Sequence, residues 1–314
     1  MNVLSVFDGM SCGQIALERV GLEVEKYYAC EIEKKSIKVA RHNYPNMISL
    51  GDITTTFYTS TGFELKSEDS CFEVPNSNDI IDLVIGGSPC QDISLLNKIQ
   101  NGLDGDKSSL FFHYLRLLNE CRKRNPNVYF LLENVMGSKA AVKAITKIMG
   151  VRPMRFNSNM VSAQNRKRLY WTNIQVTSLP KKKRLVLTDI LEKNVDERYF
   201  LKDGRLNWLT GESGRNSQEK RFSALDPELA NCLTKRGEGS WNCNYVTDNG
   251  RIRKLTPVEW ERIQTVPDNY TAVVDDKYRY EMLGNGWTVD IIAHILKHLP
   301  AKFQASAKKI MNYN

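Results

Sequence analysis

Short apolar runs alternate with helical stretches through the first 150 residues, and this alternation restricts the fold more than any other feature. Val3–Phe7, Tyr27–Cys30, Ile81–Ile85 and Tyr129–Leu132 read as buried strands. Gly13–Val20, Lys34–His42, Leu110–Cys121 and Ser138–Met149 read as the helices that follow. Such a pattern implies an α/β fold with a parallel sheet covered on both faces. Ligands of these sheets sit at the carboxyl ends of the strands. The candidate functional residues fall there: Asp8 after the first strand, Glu31 after the second, Pro89-Cys90 after the Gly86-Gly87 turn, and Glu133-Asn134 after the fourth.

The rest of the chain is organised differently. Residues 56–80 are rich in Ser, Thr and Glu and read as a loose insertion. Residues 175–254 lose the alternation and carry Lys181-Lys182-Lys183-Arg184 with scattered glycines, which reads as a small irregular second domain. Helical periodicity returns at Thr256–Ile263, and Val289–Leu299 reads as a closing helix. The expected division is therefore 1–174, 175–254, and a return to the first domain over 255–314. Charge follows it: residues 151–254 hold 21 Lys and Arg against 11 Asp and Glu, an excess of ten, while residues 1–150 hold 16 against 18. A basic excess confined to one third of the chain fits a surface that meets a polyanion; a solvated lysine-rich face is the alternative. The seven cysteines are scattered without a C-x-x-C pair, so neither a disulfide framework nor a zinc site is expected, and a reducing cytosol fits. The N-terminus lacks the basic region of a signal peptide, and no stretch reaches the ~20 apolar residues of a membrane span.

Phe7-Asp8-Gly9 ends a strand in a glycine turn that lets backbone approach a ligand. Glu31 lies 23 residues after Asp8, where an acidic side chain accepts from ribose hydroxyls. The glycines do not form G-x-G-x-x-G, which favours a nucleoside over a dinucleotide. Gly51-Asp52-Ile53 is placed to meet an adenine. Cys90, beside a proline turn at a strand end, is a candidate nucleophile, set against the small buried hydrophobe that a lone cysteine more often is. Glu133 is a candidate acid toward a heterocycle nitrogen, or else a helix cap or ion-pair partner. Arg166 and Arg168, two apart, point to one face of a strand. There they could hold a carbonyl oxygen or a phosphate in a fork, unless they belong to a surface basic run.

Taken in order, Phe7-Asp8-Gly9, Glu31, Asp52, Pro89-Cys90-Gln91, Glu133-Asn134-Val135, Gln164-x-Arg166-x-Arg168 and Gly284-Asn285-Gly286-Trp287 resemble the DNA cytosine-5 methyltransferase family. The match runs over nearly the whole chain. It is similar to the animal de novo (type 3-like) branch and its bacterial and phage relatives. The resemblance implies a Rossmann-like, S-adenosylmethionine-dependent methyltransferase fold with a small target-recognition domain. It implies that Cys90 attacks cytosine C6, that Glu133 protonates N3, and that Arg166 and Arg168 lie near the base O2 and a phosphate. It also implies a cofactor pocket of Phe7, Asp8, Gly9, Glu31, Ile32, Asp52, Ile53, Leu110, Asn285 and Trp287, with S-adenosylhomocysteine as product. DNA contacts are implied for Gln91, Ser94, Gln164, Thr234, Lys235 and Arg236, and a loop over 91–108 that closes on the flipped base. Double-stranded DNA is the implied partner, with a cognate restriction endonuclease as a further candidate.

Two other readings compete. An RNA cytosine-5 methyltransferase would carry a Thr-Cys nucleophile motif or the Cys-Phe-Thr of the tRNA-modifying branch, and neither is present. An inactive DNA-binding regulator would tolerate loss of Cys90, Glu133 or Arg166, and all three are present. Departures from the family pattern include Ile93 where phenylalanine is common, and Ile263-Gln264-Thr265-Val266-Pro267 where Leu-Gln-Gly-Phe-Pro is usual.

Overall fold

All five residues of β1 (Asn2–Val6) are buried, so the run forms a strand without alternating polarity because both its faces are covered. The computed structural model describes residues 1–66, 78–88, 109–202, 224–236 and 243–304. Two units emerge: Met1–Phe156 with Lys167–Leu179 and Ile292–Asn314, and Asn157–Arg166 with Pro180–Ile291.

In the first unit β1 joins β2 (Lys26–Cys30), β3 (Ile48–Gly51), β6 (Leu83–Gly87), β7 (Tyr129–Val135), β8 (Met154–Asn157) and β9 (Lys167–Thr172) in a seven-stranded sheet ordered β3-β2-β1-β6-β7-β9-β8. Helices α1 (Cys12–Arg19), α2 (Lys34–Asn43), α3 (Ser109–Arg124) and α4 (Lys139–Met149) alternate with the strands. The sheet is parallel from β3 to β7, but β9 runs antiparallel to β7. The sheet is thus mixed rather than wholly parallel. No crossover helix separates β8 from β9, and only antiparallel pairing dispenses with one. Leu4, Val84, Phe130, Leu132 and Trp171 from the sheet pack with Phe111, Tyr114, Leu118 and Ile145 from α3 and α4. Ser138 caps α4 by accepting from the Ala141 N–H (3.2 Å), and Trp171 Nε1 donates to Thr146 Oγ1 (3.0 Å), fixing α4 on β9.

The expected loose insertion begins with order. β4 (Thr56–Thr59) and β5 (Gly62–Leu65) form a hairpin in which Tyr58 faces Phe63, their ring centroids 4.8 Å apart. The period-two burial of Thr56 and Tyr58 against Phe57 and Thr59 is a strand signal that the Ser/Thr-rich composition conceals. Residues 67–77 of that insertion lie outside the described residues.

The second unit holds a three-stranded sheet of β10 (Ala224–Leu225), β11 (Asn244–Asp248) and β12 (Arg251–Lys254), with α5 (Pro257–Ile263) and α6 (Asp276–Asn285). Helix α7 (Val289–Leu296) crosses the boundary between the units. Residues 255–291 therefore group with the second unit instead of returning to the first at residue 255. Arg253, 1% exposed, donates to both carboxylate oxygens of Glu259 at 2.8 and 2.9 Å, tying β12 to α5. Parting a buried pair leaves an uncompensated charge. The Trp260 and Tyr280 rings, 4.9 Å apart, then join α5 to α6. The helix expected over Thr256–Ile263 is α5, and its N-terminus is a capping box of Thr256 and Glu259 with Pro257 in the first turn. Among the described residues no helix is long and apolar enough to cross a membrane.

Gly86 sits where the sheet is tightest. A Cβ there would lie 2.6 Å from Val6 Cγ2 and 2.8 Å from the Val6 carbonyl oxygen. Gly86→Ala is expected to destabilise the protein by about 2 kcal/mol through overpacking, read as a lower urea midpoint. Gly21→Ala, where nothing lies within 4 Å and only a φ of +66° opposes the change, is expected to cost about 1 kcal/mol.

Candidate active site

Register aligns the carboxyl ends of five strands. Cys30 pairs with Gly51 and with Val6, Val6 pairs with Gly86, and Gly87 pairs with Glu133. Asp52, Glu31, Phe7, Ser88 and Glu133 therefore follow one another along a single sheet edge, neighbouring strands standing about 4.8 Å apart. The chain fills one side of β1 with β2 and β3 and the other with β6 and β7, so the order reverses between β1 and β6. That switch point is where open α/β sheets bind ligands.

The turn after β1 is strained and braced. Phe7 (φ 56°) and Ser11 (φ 63°) are non-glycine residues in the left-handed region. The buried Asp8 carboxylate holds the turn, accepting from Ser5 Oγ (2.6 Å), Tyr27 OH (2.7 Å) and Ser11 Oγ. Burial pushes its pKa up and the three hydroxyls pull it back. Its carboxylate thus faces inward, and Asp8 organises the turn. The Gly9 N–H (φ 59°) donates to Glu31 Oε2 at 2.7 Å, and Glu31 Oε1 accepts from the N–H groups of Ile32 and Glu33, both at 2.9 Å. These bonds fix the Glu31 carboxylate, whose pKa burial raises. Beside it the Ile32 side chain is 64% exposed. Asp52 Oδ1 caps its own turn, accepting from the Thr54 N–H at 2.8 Å. Ile53, by contrast, is in the core cluster, with Leu110 and Phe7 packed against that cluster.

On the far side of β6, Glu133 and Arg168 meet. Glu133 stands opposite Tyr170 and Val135 opposite Arg168 across β7 and β9, so the two charged residues are diagonal neighbours on one face. Arg168 Nε lies 3.0 Å from Glu133 Oε1, both side chains largely buried. Asn134, on the other face, donates through Nδ2 to the buried Ser88 Oγ at 2.8 Å. This bond fixes Ser88, the residue that precedes Pro89-Cys90 in the sequence. Cys90, Gln91, Ser94 and the expected loop over 91–108 lie outside the described residues.

A family model for the C-5 cytosine-specific DNA methylases matches residues 1–150 and 155–301. The chain belongs to that family. Among curated relatives, the type II methyltransferase M1.ScrFI of Lactococcus lactis subsp. cremoris is 26% identical over 98% of this chain and 80% of its own length. The type II methyltransferase M.HpaII of Haemophilus parainfluenzae is 25% identical over 98% of this chain and 88% of its own. Among solved structures, the Entamoeba histolytica methyltransferase EhMeth shares the fold, with a TM-score of 0.66, 16% identity, and 97% and 99% of the two chains covered. The protein is a DNA cytosine-5 methyltransferase, and S-adenosylmethionine is the methyl donor its family implies.

In this methylase the two arginines of the Gln164-x-Arg166-x-Arg168 motif part company. Strand β9 starts only at Lys167, so they do not share a strand face, contrary to the spacing argument. Arg168 belongs to the first unit and pairs with Glu133, whereas Arg166 belongs to the second and is 4% exposed. The Arg166 guanidinium donates to the carbonyls of Leu233 (2.8 Å), Gly286 (2.9 Å) and Gly284 (3.3 Å). Gln164, expected at DNA, is likewise buried: its Nε2 donates to Gln264 Oε1 at 2.9 Å and to the Ile263 carbonyl at 3.1 Å. Both residues are internal ties because the turn from Asn157 to Arg166 is built into the second unit. Thr234 is half-buried, and Lys235 and Arg236 are exposed. A Cβ on Gly284 would overlap the Thr234 carbonyl and come within 2.7 Å of Lys235 N, so only glycine lets these segments pass. Asn285 and Trp287 also lie in the second unit.

Sequence reasoning missed the braces: Ser5, Ser11 and Tyr27 on Asp8, and Ser88 on Asn134. Only Asn134 carried a signal, through its place beside Glu133.

The two arginines give opposite expectations. Arg166→Met strands three buried carbonyls and is expected to destabilise the methylase by about 3 kcal/mol. Arg168→Met, removing one largely buried ion pair, is expected to cost less, about 2 kcal/mol, while losing methyl transfer. Urea unfolding beside a methylation assay reads both.

Proposed function

We propose that Cys90 is the nucleophile, that Glu133 acts on the ring nitrogen of a cytosine flipped from duplex DNA, and that the methyl donor lies at the β1–β2 end of the same edge. The alignment of strand ends carries this reading. Glu31 and Glu133 are separated by β1 and β6 alone, and in the sequence Pro89-Cys90 follows the end of β6 by one residue. Donor and base therefore share the switch point.

The residues present fit the donor. A carboxylate has about four acceptor sites; Glu31 uses three on backbone N–H groups, leaving capacity for ribose hydroxyls. The exposed Ile32 side chain offers an apolar face to a flat heterocycle, and Asp52 follows the neighbouring strand β3. Phe7, Asp8 and Gly9 form the turn floor, and Leu110 packs against the same core cluster as Phe7. S-adenosylmethionine supplies a sulfonium methyl electrophile when bound there.

Cytosine C5 is a poor nucleophile. Addition of the Cys90 thiolate to C6, with Glu133 sharing its proton with N3, turns the ring into an enamine that is nucleophilic at C5. After methylation, loss of the C5 proton and expulsion of the Cys90 thiolate restore the aromatic ring. Arg168, paired with Glu133 in the free protein, holds that carboxyl toward the base and lies near O2. Flipping the base costs a few kcal/mol, which DNA contacts offset. The second unit, with Thr234, Lys235, Arg236 and the Lys181–Arg184 run, is the target-recognition region. The type II relatives favour pairing with a restriction endonuclease.

Purified protein is expected to move labelled methyl groups to duplex DNA and not to tRNA. Cys90→Ser should lose transfer and keep DNA binding. A 5-fluorocytosine duplex should trap a covalent adduct on Cys90 in the wild type. No adduct, or preferred labelling of tRNA, overturns the assignment. If the basic region meets ~5 phosphates, log affinity should fall against log salt with a slope of about −4 to −5, measured by fluorescence anisotropy; a flat response would place that charge in solvent.

A further inference from the structure

Arg116, in the middle of α3, has no place in the chemistry described above, yet it makes several bonds to the segment that follows β3. One guanidinium nitrogen donates to the carbonyls of Ile53 (2.9 Å) and Thr56 (2.8 Å). Another lies 3.0 Å from Glu120 Oε1, and Glu120 Oε2 in turn accepts from the Tyr58 N–H at 2.8 Å. The guanidinium plane lies over the Phe57 ring, 4.2 Å from its centroid. Arg116 thus grips the segment from Ile53 to Tyr58 at two carbonyls, one ring and, through Glu120, one N–H.

The gripped segment completes a small knot. The Asp52 carbonyl accepts from the N–H groups of Thr55 (3.2 Å) and Thr56 (3.1 Å) and from the Thr56 hydroxyl (2.8 Å). Inside it, the Asp52 carboxylate is fixed by the Thr54 N–H. On the sheet side the knot is tied by Thr56, whose hydroxyl also donates to the Leu50 carbonyl of β3 (3.2 Å) and accepts from Cys30 Sγ of β2 (3.9 Å). Arg116 supplies the tie on the helix side, because α3 is anchored in the core by Phe111, Tyr114, Leu117 and Leu118. A planar fork that meets two carbonyls and stacks on a ring has geometry that lysine cannot reproduce.

We infer that Arg116 is a positioning residue for the methyl donor: it sets the Asp52 turn against α3, and so sets the adenosine side of the site. The inference rests on the reading that Glu31 and Asp52 border that donor. It also gives α3 two duties, since its first turn carries Leu110 while its middle holds the Asp52 turn.

The test is equilibrium dialysis of labelled S-adenosylmethionine against the full chain without DNA, with the melting temperature of each variant alongside. Arg116→Lys is expected to raise the Kd about tenfold, the equivalent of ~1.4 kcal/mol, and Arg116→Met at least as much. Glu120→Gln, which loosens the ion pair and leaves the two carbonyl bonds, should lower the melting temperature while the Kd stays within about twofold. Glu31→Ala is the control on the site itself. Should Arg116→Lys bind like wild type while Glu31→Ala loses binding, the inference fails and the assignment of the site stands. Should Glu120→Gln weaken binding as much as Arg116→Lys, general loosening explains both and the inference fails. Should Glu31→Ala bind like wild type, the site assignment fails and takes the inference with it. If Arg116→Met does not fold, Arg116→Lys decides.

Discussion

Parallel pairing on both flanks of β1 places Val6 level with Cys30 and with Gly86. Each alignment is enforced by backbone hydrogen bonds, and a slip of one residue would turn every side chain of a strand to the other face. Because all of β1 is buried, such a slip has no compensating surface. Gly86 tightens the fit further, since the contact with Val6 admits no side chain. The chemistry inherits this precision. Glu31, Phe7, Ser88 and Glu133 need no separate positioning along the strand direction, as the ladder has already levelled them. What remains for side-chain contacts is orientation: Asp8 braces the turn, the Gly9 N–H turns Glu31, Asn134 holds Ser88, and Arg168 holds Glu133.

Much of this was legible in the sequence, and the reason is physical. Buried parallel strands are continuous apolar runs, so Val3–Phe7 and Tyr27–Cys30 announce themselves, and the polar residue that ends each run marks the sheet edge. The helical periodicity over Thr256–Ile263 is equally local. Illegible features depended on partners distant in the chain. Nothing in Gln164-Asn165-Arg166 says that β9 will start at Lys167, so two arginines spaced for one strand face ended in different units. The hairpin at 56–65 was hidden because its strand signal is four residues long and written in threonine and aromatic residues. The grouping of 255–291 with the second unit rests on contacts between distant residues, among them the buried ion pair of Arg253 with Glu259, whose members look like ordinary surface charges.

The parting of Arg166 and Arg168 also clarifies how a motif can be kept whole while its members do different work. Arg168 sits beside the acid, where its positive charge can orient a carboxylate. Arg166 satisfies carbonyls on the two segments that carry Thr234–Arg236 and Asn285–Trp287. Carbonyl dipoles face its buried charge, an arrangement that a planar donor with five N–H groups can satisfy and a lysine cannot. Loss of Arg168 is felt at the Glu133 carboxylate, and loss of Arg166 in the framework of the second unit. Activity alone would not tell them apart.

Thr265 shows the same economy at a position where the chain departs from its family's pattern. Glycine is usual there, and the backbone explains why: Thr265 has φ 55°, a left-handed conformation that a β-branched residue adopts at a cost of about 1–3 kcal/mol. The hydroxyl that glycine lacks offsets part of it. Thr265 Oγ1 accepts the Asp290 N–H at 2.9 Å, and the Gln264 carbonyl accepts that of Val289 at 2.9 Å. Two of the unpaired N–H groups that open α7 are thereby satisfied, the usual need of a helix N-terminus. A capping bond is worth about 1 kcal/mol, so it covers the lower end of the strain and no more. The departure is tolerable because the same side chain that strains the turn caps the helix that follows. A residue combining the strain with no hydroxyl, valine for example, would have nothing to set against it.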